Sequence, residues 1–431
     1  MFILFNIFKS RELFDVNLLA LNVENIKKQF KENVMNPKIS TWFLKGVSHF
    51  LNLKPAPMIE GSGSVKRIAN YCIINKYRKA LIVTTQSLIE LGLLEGFFES
   101  FKKNGLEYIV YDNVNGEPNF VLAKNILDFS KNFNPDVVVA IGGGSVLDVA
   151  KLIAAALTDP NRPLEKFVGI LKVRKKLKPL IAVPTTAGTG SETSFIAVIT
   201  DAQGIKRTIV SPKIIPSLAV LDGELLVSLP KTLTASTGID ALSHAVESYI
   251  STCTKKAHDF YAPTAINMIF NNLKNSYENP DNLVYRNKML KASYLAGVSM
   301  NNEMVGYAHA FAHQLGAHYH IPHGNAIAMT LVRVLQFQLN TATKKLAELA
   351  SFCGFVDEGE SEQKAAEIFI KKVAELISSL NLHQTCEKLK KEDYESIIEN
   401  AFYETARRYP VSRFMTHDEA VAFLDSLKEE I

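Results

Sequence analysis

No run in this chain reaches the roughly 18–20 uninterrupted apolar residues that a bilayer-crossing helix needs, so no transmembrane segment is expected. Cysteine is scarce. Cys72, Cys253, Cys353 and Cys386 lie far apart and form no C-x-x-C pair, which argues against a disulfide scaffold and for a reducing, cytoplasmic setting. An excess of charge of one sign is also missing. The 48 Lys and Arg stand against 44 Asp and Glu, a net charge of +4, so the clustered basic face of a nucleic-acid binder is not expected. Internal repeats and low-complexity tracts are absent too.

What is present is ordinary globular material. The 431 residues are 47% hydrophobic and 21% charged, enough to bury a sizeable core and to exclude whole-chain disorder. At roughly 150 residues per domain, two or three domains are expected. The chain opens on the apolar run MFILFNIF, but its first cations, Lys9 and Arg11, follow that run, whereas a secretory signal places them before it. A packed leader is expected there, with a weak membrane-surface anchor as the alternative. Residues 1–55 read as a helical extension without motifs.

Short β-branched apolar runs begin after that extension, at 79–85, 108–113, 136–141 and 179–184, the pattern of parallel strands buried on both faces. Segments with helical periodicity, 87–104 and 120–132, lie between them, so 56–226 is expected to be a doubly wound α/β domain with a mostly parallel sheet. Further strands are expected at 197–201 and 218–222. Beyond residue 226 the strand-like runs stop. A hinge at Leu229-Pro230, a helix start around 234–238 and helical stretches at 239–251, 262–274, 286–300 and 365–380 make 227–431 an all-helical domain. The cleft between the two domains is the default ligand site.

Two polar glycine loops leave the strands. Gly142-Gly143-Gly144-Ser145 follows one strand and opens a helix. Without Cβ atoms the backbone can approach a pyrophosphate, and the helix N-terminus favours its charge. Ser145 is the expected N-cap and a second phosphate donor. The triplet is not G-x-G-x-x-G, and a plain structural turn is the alternative. The second loop, 184–194, sets the hydroxyls of Thr185, Thr186, Thr189, Thr193 and Ser194 around two glycines, with a capped helix start as the alternative. Two such loops at the ends of buried strands fit the ligand crevice of an open sheet.

The helical half carries a candidate metal centre. Asp240 and His244 are four apart, as are His309 and His313, so each pair shares a helix face. Gly316 is expected to end the second helix, and His323 to reach in from a turn. One carboxylate and imidazoles suit Fe(II), Zn, Mn, Co or Ni better than Mg or Ca. His318 and His320 read as a polar run without a role.

Together, 142–145, 184–192, 238–244 and 309–323 resemble the iron-containing (group III) alcohol dehydrogenase family, over roughly residues 60–412. The resemblance implies the dehydroquinate synthase-like architecture, NAD or NADP in the cleft, one divalent metal with Fe(II) foremost, and a homodimer. Carried over, the metal ligands are Asp240, His244, His309 and His323, and His313 sits beside the nicotinamide without binding metal. Gly143, Gly144 and Ser145, with Asp148 nearby, hold the pyrophosphate. Thr185, Thr186, Thr189, Ser194, Lys206 and Leu233 line the rest. The implied reaction is reversible oxidation of a primary or short secondary alcohol to its carbonyl, with His313 as proton relay. A polyol, lactaldehyde or hydroxy acid is the alternative substrate.

Three departures stand out. The Asp that NAD-preferring members place after the first strand's Val-Thr is Thr85 here, which removes a repulsion against a ribose 2′-phosphate and admits NADP. Glu117-Pro118-Asn119 replaces the usual Asn-Pro-Thr, and Tyr409-Pro410-Val411 replaces Asn-Pro-Arg. Two rivals remain: a dehydroquinate synthase-like lyase, which needs cations such as Lys291, Arg333 and Lys344 to converge, and a metal-stapled structural protein, which would favour a closed, cysteine-rich site.

Overall fold

Apolar strands that cannot expose either face must be covered twice, and that requirement shapes the first half of the molecule. The computed structural model describes residues 54–253 and 260–430; the apolar leader and nearly all of the expected 1–55 extension lie outside them. The first half carries β1 (Met58–Glu60), α1 (Ile68–Ile74), β2 (Lys79–Val83), α2 (Gln86–Glu90), α3 (Glu95–Lys103), β3 (Glu107–Tyr111), α4 (Phe120–Ser130), β4 (Val137–Gly142), α5 (Gly144–Ala156), β5 (Gly169–Ile170), β6 (Leu180–Pro184), β7 (Ile196–Thr200), β8 (Lys206–Val210) and β9 (Leu218–Leu221). Among the described residues a six-stranded sheet runs in the order β1-β9-β6-β4-β2-β3, and its pairings are parallel.

Alternate residues of one strand enter different cores. Ala80, Ile82, Val139 and Ile141 pack on one side with Phe97 and Phe101 of α3, and Leu81, Val83, Val138 and Ala140 pack on the other with α4 and α5. The sheet is therefore doubly wound, in the α/β architecture expected. The strand order reverses between β2 and β4, and the carboxyl ends of those two strands define the crevice. There the chain continues into Thr84-Thr85 and into the glycine triplet.

The remainder is helical: α6 (Lys231–Ile250), α7 (Tyr261–Glu278), α8 (Leu283–Glu303), α9 (Tyr307–Tyr319), α10 (His323–Phe352), α11 (Glu362–Ser379), α12 (Tyr394–Arg408) and α13 (His417–Ser426). Helix α6 is buried nearly all round, between α7, α8 and α10. The core beneath one sheet face is continuous with this helical core. At the joint, Gly190 (φ +60°) lies directly against Gly297 of α8, and Asn301 donates to the Thr193 carbonyl at 2.6 Å.

Several elements differ from the sequence expectation. The single helix expected over 87–104 is two, α2 and α3, because Gly92 adopts φ +69° between them. The run at 197–201 does form a strand, β7, but it pairs antiparallel with β8 in a separate three-stranded sheet, β5-β8-β7. The residues expected to start a helix at 234–238 lie inside α6, which begins at Lys231 behind Pro230. Gly316 does not end α9. That helix runs to Tyr319 and closes on His320 in the left-handed region (φ 54°). His323 is not on a turn; it is the first residue of α10, behind Pro322. Among the described residues no helix is long and apolar enough to cross a membrane.

Candidate metal and cofactor site

Helix α6 presents Asp240 and His244 on one stripe, α9 presents His309 and His313 on another, and α10 opens with His323. Their packing brings four side chains to one point. Asp240 Oδ1 lies 3.3 Å from His323 Nε2, 3.6 Å from His309 Nε2 and 3.7 Å from His244 Nε2. The donor atoms of Asp240, His244 and His309 lie within 4.8 Å of one another. The His244 and His309 rings stack with centroids 4.7 Å apart. Those three residues are buried, whereas the His323 side chain is 41% exposed, so the cluster opens to the cleft at His323.

The donor set fits a divalent ion. Asp240 Oδ1 and His309 Nε2 are buried yet make no hydrogen bond among the described residues. Orphaned buried polar atoms facing one another are costly unless a cation completes them. One oxygen and three imidazole nitrogens are the mixture that Fe(II), Zn, Mn or Ni accept.

The charges tell the same story. Burial works against the Asp240 carboxylate, yet the facing His244 and His323 imidazoles hold it well below the usual range. Burial pushes His244 down to about 4 and keeps it neutral. Burial also opposes charge on His309, but the facing carboxylates of Asp240 and Glu247 outweigh it and raise the ring to about 9. His313 stands beside the cluster, its ring stacked 5.4 Å from that of His323. Its side chain is 39% exposed, and crowding by the surrounding protein still lowers its pKa, opposed by Glu404, whose Oε2 lies 2.9 Å from Nδ1.

On the cofactor side, α5 begins at the crevice with Gly143 as an N-cap that offers no side-chain bond. Ser145 is therefore not the N-cap; it sits in the first turn. This leaves the helix N-terminus open to an anion. The three glycines are not equivalent. A Cβ on Gly142 would meet Val146 Cγ2 at 2.5 Å and one on Gly144 would meet Thr189 Cγ2 at 3.0 Å, so packing alone demands both. Gly143 is the least constrained, with Thr186 at 3.7 Å.

The second loop lies between the triplet and the metal helix. Thr186 and Thr189 face the triplet, and a Cβ on Gly188 would strike the Thr237 carbonyl oxygen of α6 at 2.8 Å, one turn before Asp240. Thr185 is buried, and Ser194 is turned inward, accepting from Ile196 N at 2.9 Å.

Asp148, expected near the pyrophosphate, accepts instead from Ser191 Oγ at 2.6 Å and Val198 N at 2.8 Å. It clamps the second loop and β7 onto α5, assisted by the fully buried Lys151, which donates to Ser191 Oγ at 2.8 Å and the Ile196 carbonyl at 2.7 Å. Lys206 is exposed in an ion pair with Glu117 at 2.8 Å. Leu233 is exposed on the first turn of α6. Thr85 lies two residues past the end of β2, bridged to Asn113, with its hydroxyl 3.1 Å from Ser87 Oγ.

Sequence reasoning missed three kinds of group. Glu247 continues the Asp240–His244 stripe by one turn and was legible in principle. Glu404 is 91 residues from its partner His313, and nothing local announces it. Lys151 reads as an ordinary helix lysine. The cations that a lyase would need do not converge. Lys291 pairs with Glu60 at 2.8 Å, and Arg333 is held by the carbonyls of Met329, Gln384 and Ser426.

Comparison with known proteins follows the same division. A family model described as iron-containing alcohol dehydrogenase matches residues 55–223, and one described as the Fe-containing alcohol dehydrogenase family, C-terminal, matches 234–427. Alcohol dehydrogenase 4 of Saccharomyces cerevisiae (strain YJM789) is 34% identical over 374 residues, 86% of this chain and 96% of that protein. The NAD-dependent methanol dehydrogenase of Bacillus methanolicus is 34% identical over 353 residues, 81% of this chain and 92% of that protein. An alcohol dehydrogenase structure from Oenococcus oeni superposes with a TM-score of 0.82 at 33% identity, covering 87% of this chain and 99% of the other.

Proposed function

The chain belongs to the iron-containing alcohol dehydrogenase family, and on that premise we propose that Asp240, His244, His309 and His323 hold its divalent metal and that His313 handles the proton. The enzyme is an NAD-dependent oxidoreductase that interconverts an alcohol and its carbonyl compound. Bound at these positions, the metal supplies Lewis acidity to the substrate oxygen and the nicotinamide supplies the hydride acceptor. The single observation that carries the ligand assignment is the buried meeting of Asp240 Oδ1 and His309 Nε2, neither hydrogen-bonded among the described residues, with a donor atom of His244 within 4.8 Å.

The protein's own contributions follow from geometry. The open N-terminus of α5 at Gly143–Ser145 takes the pyrophosphate, and Thr186 and Thr189 face it from the second loop. Asp148 and Lys151 fix the spacing of the two loops from beneath. The buried stripes of α6 and α9 hold Asp240, His244 and His309 away from bulk water. His313 is held at Nδ1 by Glu404, which leaves Nε2 to exchange a proton between the substrate hydroxyl and the exposed mouth of the cleft. The family resemblance places Lys206 and Leu233, both exposed here, on the outer part of the cofactor site.

Finer points rest on the same residues. Thr85 carries no carboxylate to repel a 2′-phosphate, which supports use of NADP as well as NAD. The donor set supports Fe(II) foremost and also admits Zn, Mn or Ni. Cys72, Cys353 and Cys386 are thiols, in keeping with a reducing cytoplasm. A homodimer is the assembly the family resemblance implies.

The test is apoprotein stripped with chelator and reloaded with Fe(II), Zn, Mn or Ni, assayed for aldehyde reduction with NADH and NADPH. Asp240→Asn is expected to lose the single bound metal and to lower kcat/KM by at least about 100-fold, beyond the 10–100-fold typical of outer-sphere changes. Retention of one metal per chain with full activity would refute the ligand assignment.

A further inference from the structure

Glu247 is buried, 3% exposed, deep in α6. A charge so placed is costly unless it is well hydrogen-bonded. Both of its oxygens are engaged by the first turn of α9. Oε1 accepts from the Ala308 backbone N–H at 2.7 Å, and Oε2 lies 2.6 Å from His309 Nδ1. Gly306, the N-cap of α9, has no side chain to cap its own helix, and a Cβ there would sit 2.8 Å from Glu247 Oε1. The glycine makes room for the carboxylate, and the carboxylate replaces the missing cap.

We propose that Glu247 is a positioning residue for the metal centre: it fixes the tautomer and rotation of His309 so that Nε2 presents its lone pair to the metal. The inference rests on the ligand assignment above. An ionised carboxylate can only accept, so the atom facing it, His309 Nδ1, must carry the proton. A metal ligand must be a neutral ring, and with the proton kept at Nδ1 it is Nε2, 3.6 Å from Asp240 Oδ1, that gives up its proton to the incoming metal. The two hydrogen bonds tie the ring to the start of its own helix, so the ligand is oriented before a metal arrives.

Glu247→Gln separates orientation from packing, because the amide has the same shape but one acceptor. If its oxygen keeps the Ala308 N–H, its NH2 group faces His309 Nδ1 and forces the proton to Nε2, where it blocks the metal. Co(II) is the probe. Its dissociation constant is measured by competition with a chromophoric chelator, its visible spectrum reports the ligand field, and NAD binding and the melting temperature of the apoprotein report the fold. Glu247→Gln is expected to weaken Co(II) by about 10–100-fold and to change the spectrum, with NAD binding retained. Gly306→Ala keeps the carboxylate but displaces Oε1, and it is expected to shift Co(II) affinity in the same direction; it carries the test if the Gln variant does not fold.

Co(II) affinity and spectrum indistinguishable from wild type in a folded variant would overturn the proposal, even if the melting temperature fell, because Glu247 would then be a helix cap alone. Asp240→Asn runs in parallel. If it too binds Co(II) like wild type, the ligand assignment itself fails; if it loses Co(II) while Glu247→Gln does not, only the role of Glu247 fails.

Discussion

Thr85 is the uncharged side chain at the mouth of the crevice on which the proposed use of NADP turns. It stands just past the carboxyl end of β2, half-buried, with its hydroxyl bonded to Ser87 in its own turn. Thr85→Asp restores a negative charge at that place. Like charges brought together at a binding surface cost enough to decide between partners, so the variant is expected to raise the dissociation constant for NADP by about tenfold or more while leaving NAD binding unchanged or tighter. Fluorescence titration of both reduced cofactors measures it, and equal weakening of the two would remove Thr85 from cofactor choice. At this scale the proposed metal cluster was legible because a helix repeats every 3.6 residues, so Asp240 with His244 and His309 with His313 declare shared faces. Asp148 was legible as a polar residue on the right helix but not in its role. Only the fold shows that Ser191 and Val198 take its two oxygens.

Elements meet at the joint between the domains, where Gly190 lies against Gly297 in the interior of α8. Helix propensity alone favours Gly297→Ala by about 1 kcal/mol. The packing argues the other way. A Cβ at 297 would lie 2.6 Å from Thr193 Oγ1 and 2.9 Å from Gly190 Cα, contacts that cannot form without moving backbone. Overpacking of this kind costs about 1–3 kcal/mol. We expect the cost to win, so the urea midpoint of Gly297→Ala should fall below that of wild type; a rise would show that the joint is looser than it looks. Glycine also marks where local pattern failed. Gly92 breaks a helix that periodicity alone would continue, whereas Gly316 sits unbroken inside α9, because positive φ at the one and helical φ at the other are set by what each turn packs against. The long buried strands were legible from their apolar runs. β1 and β5 were not, since strands of three and two residues carry no period.

The stability of the whole molecule is coupled to pH by a group of the second loop itself, turned into the interior. Glu192 is 1% exposed and its Oε1 makes no hydrogen bond among the described residues. Burial raises its carboxyl from 4.5 to about 7, against the opposing pull of Lys151. The folded chain therefore holds a proton that the unfolded chain has already released between about pH 4.5 and 7. Stability from this group is whole below that window and is lost as pH rises through it. Glu192→Gln is neutral throughout, so its urea-derived stability should gain on wild type across the window by something on the order of 3 kcal/mol. Parallel curves for the two proteins would show that Glu192 stays charged in the fold.

Within its own residues the sequence carried the strand runs, the two glycine loops and the paired spacings of the metal helices, because each is a short-range period and periods survive in one dimension. It could not carry the meeting of three helices at Asp240, the reach of Glu247 to His309 across 62 positions, or that of Glu404 to His313 across 91. Those contacts depend on how buried helices pack around a shared core. Side-chain volume decides that packing only once distant segments are brought together.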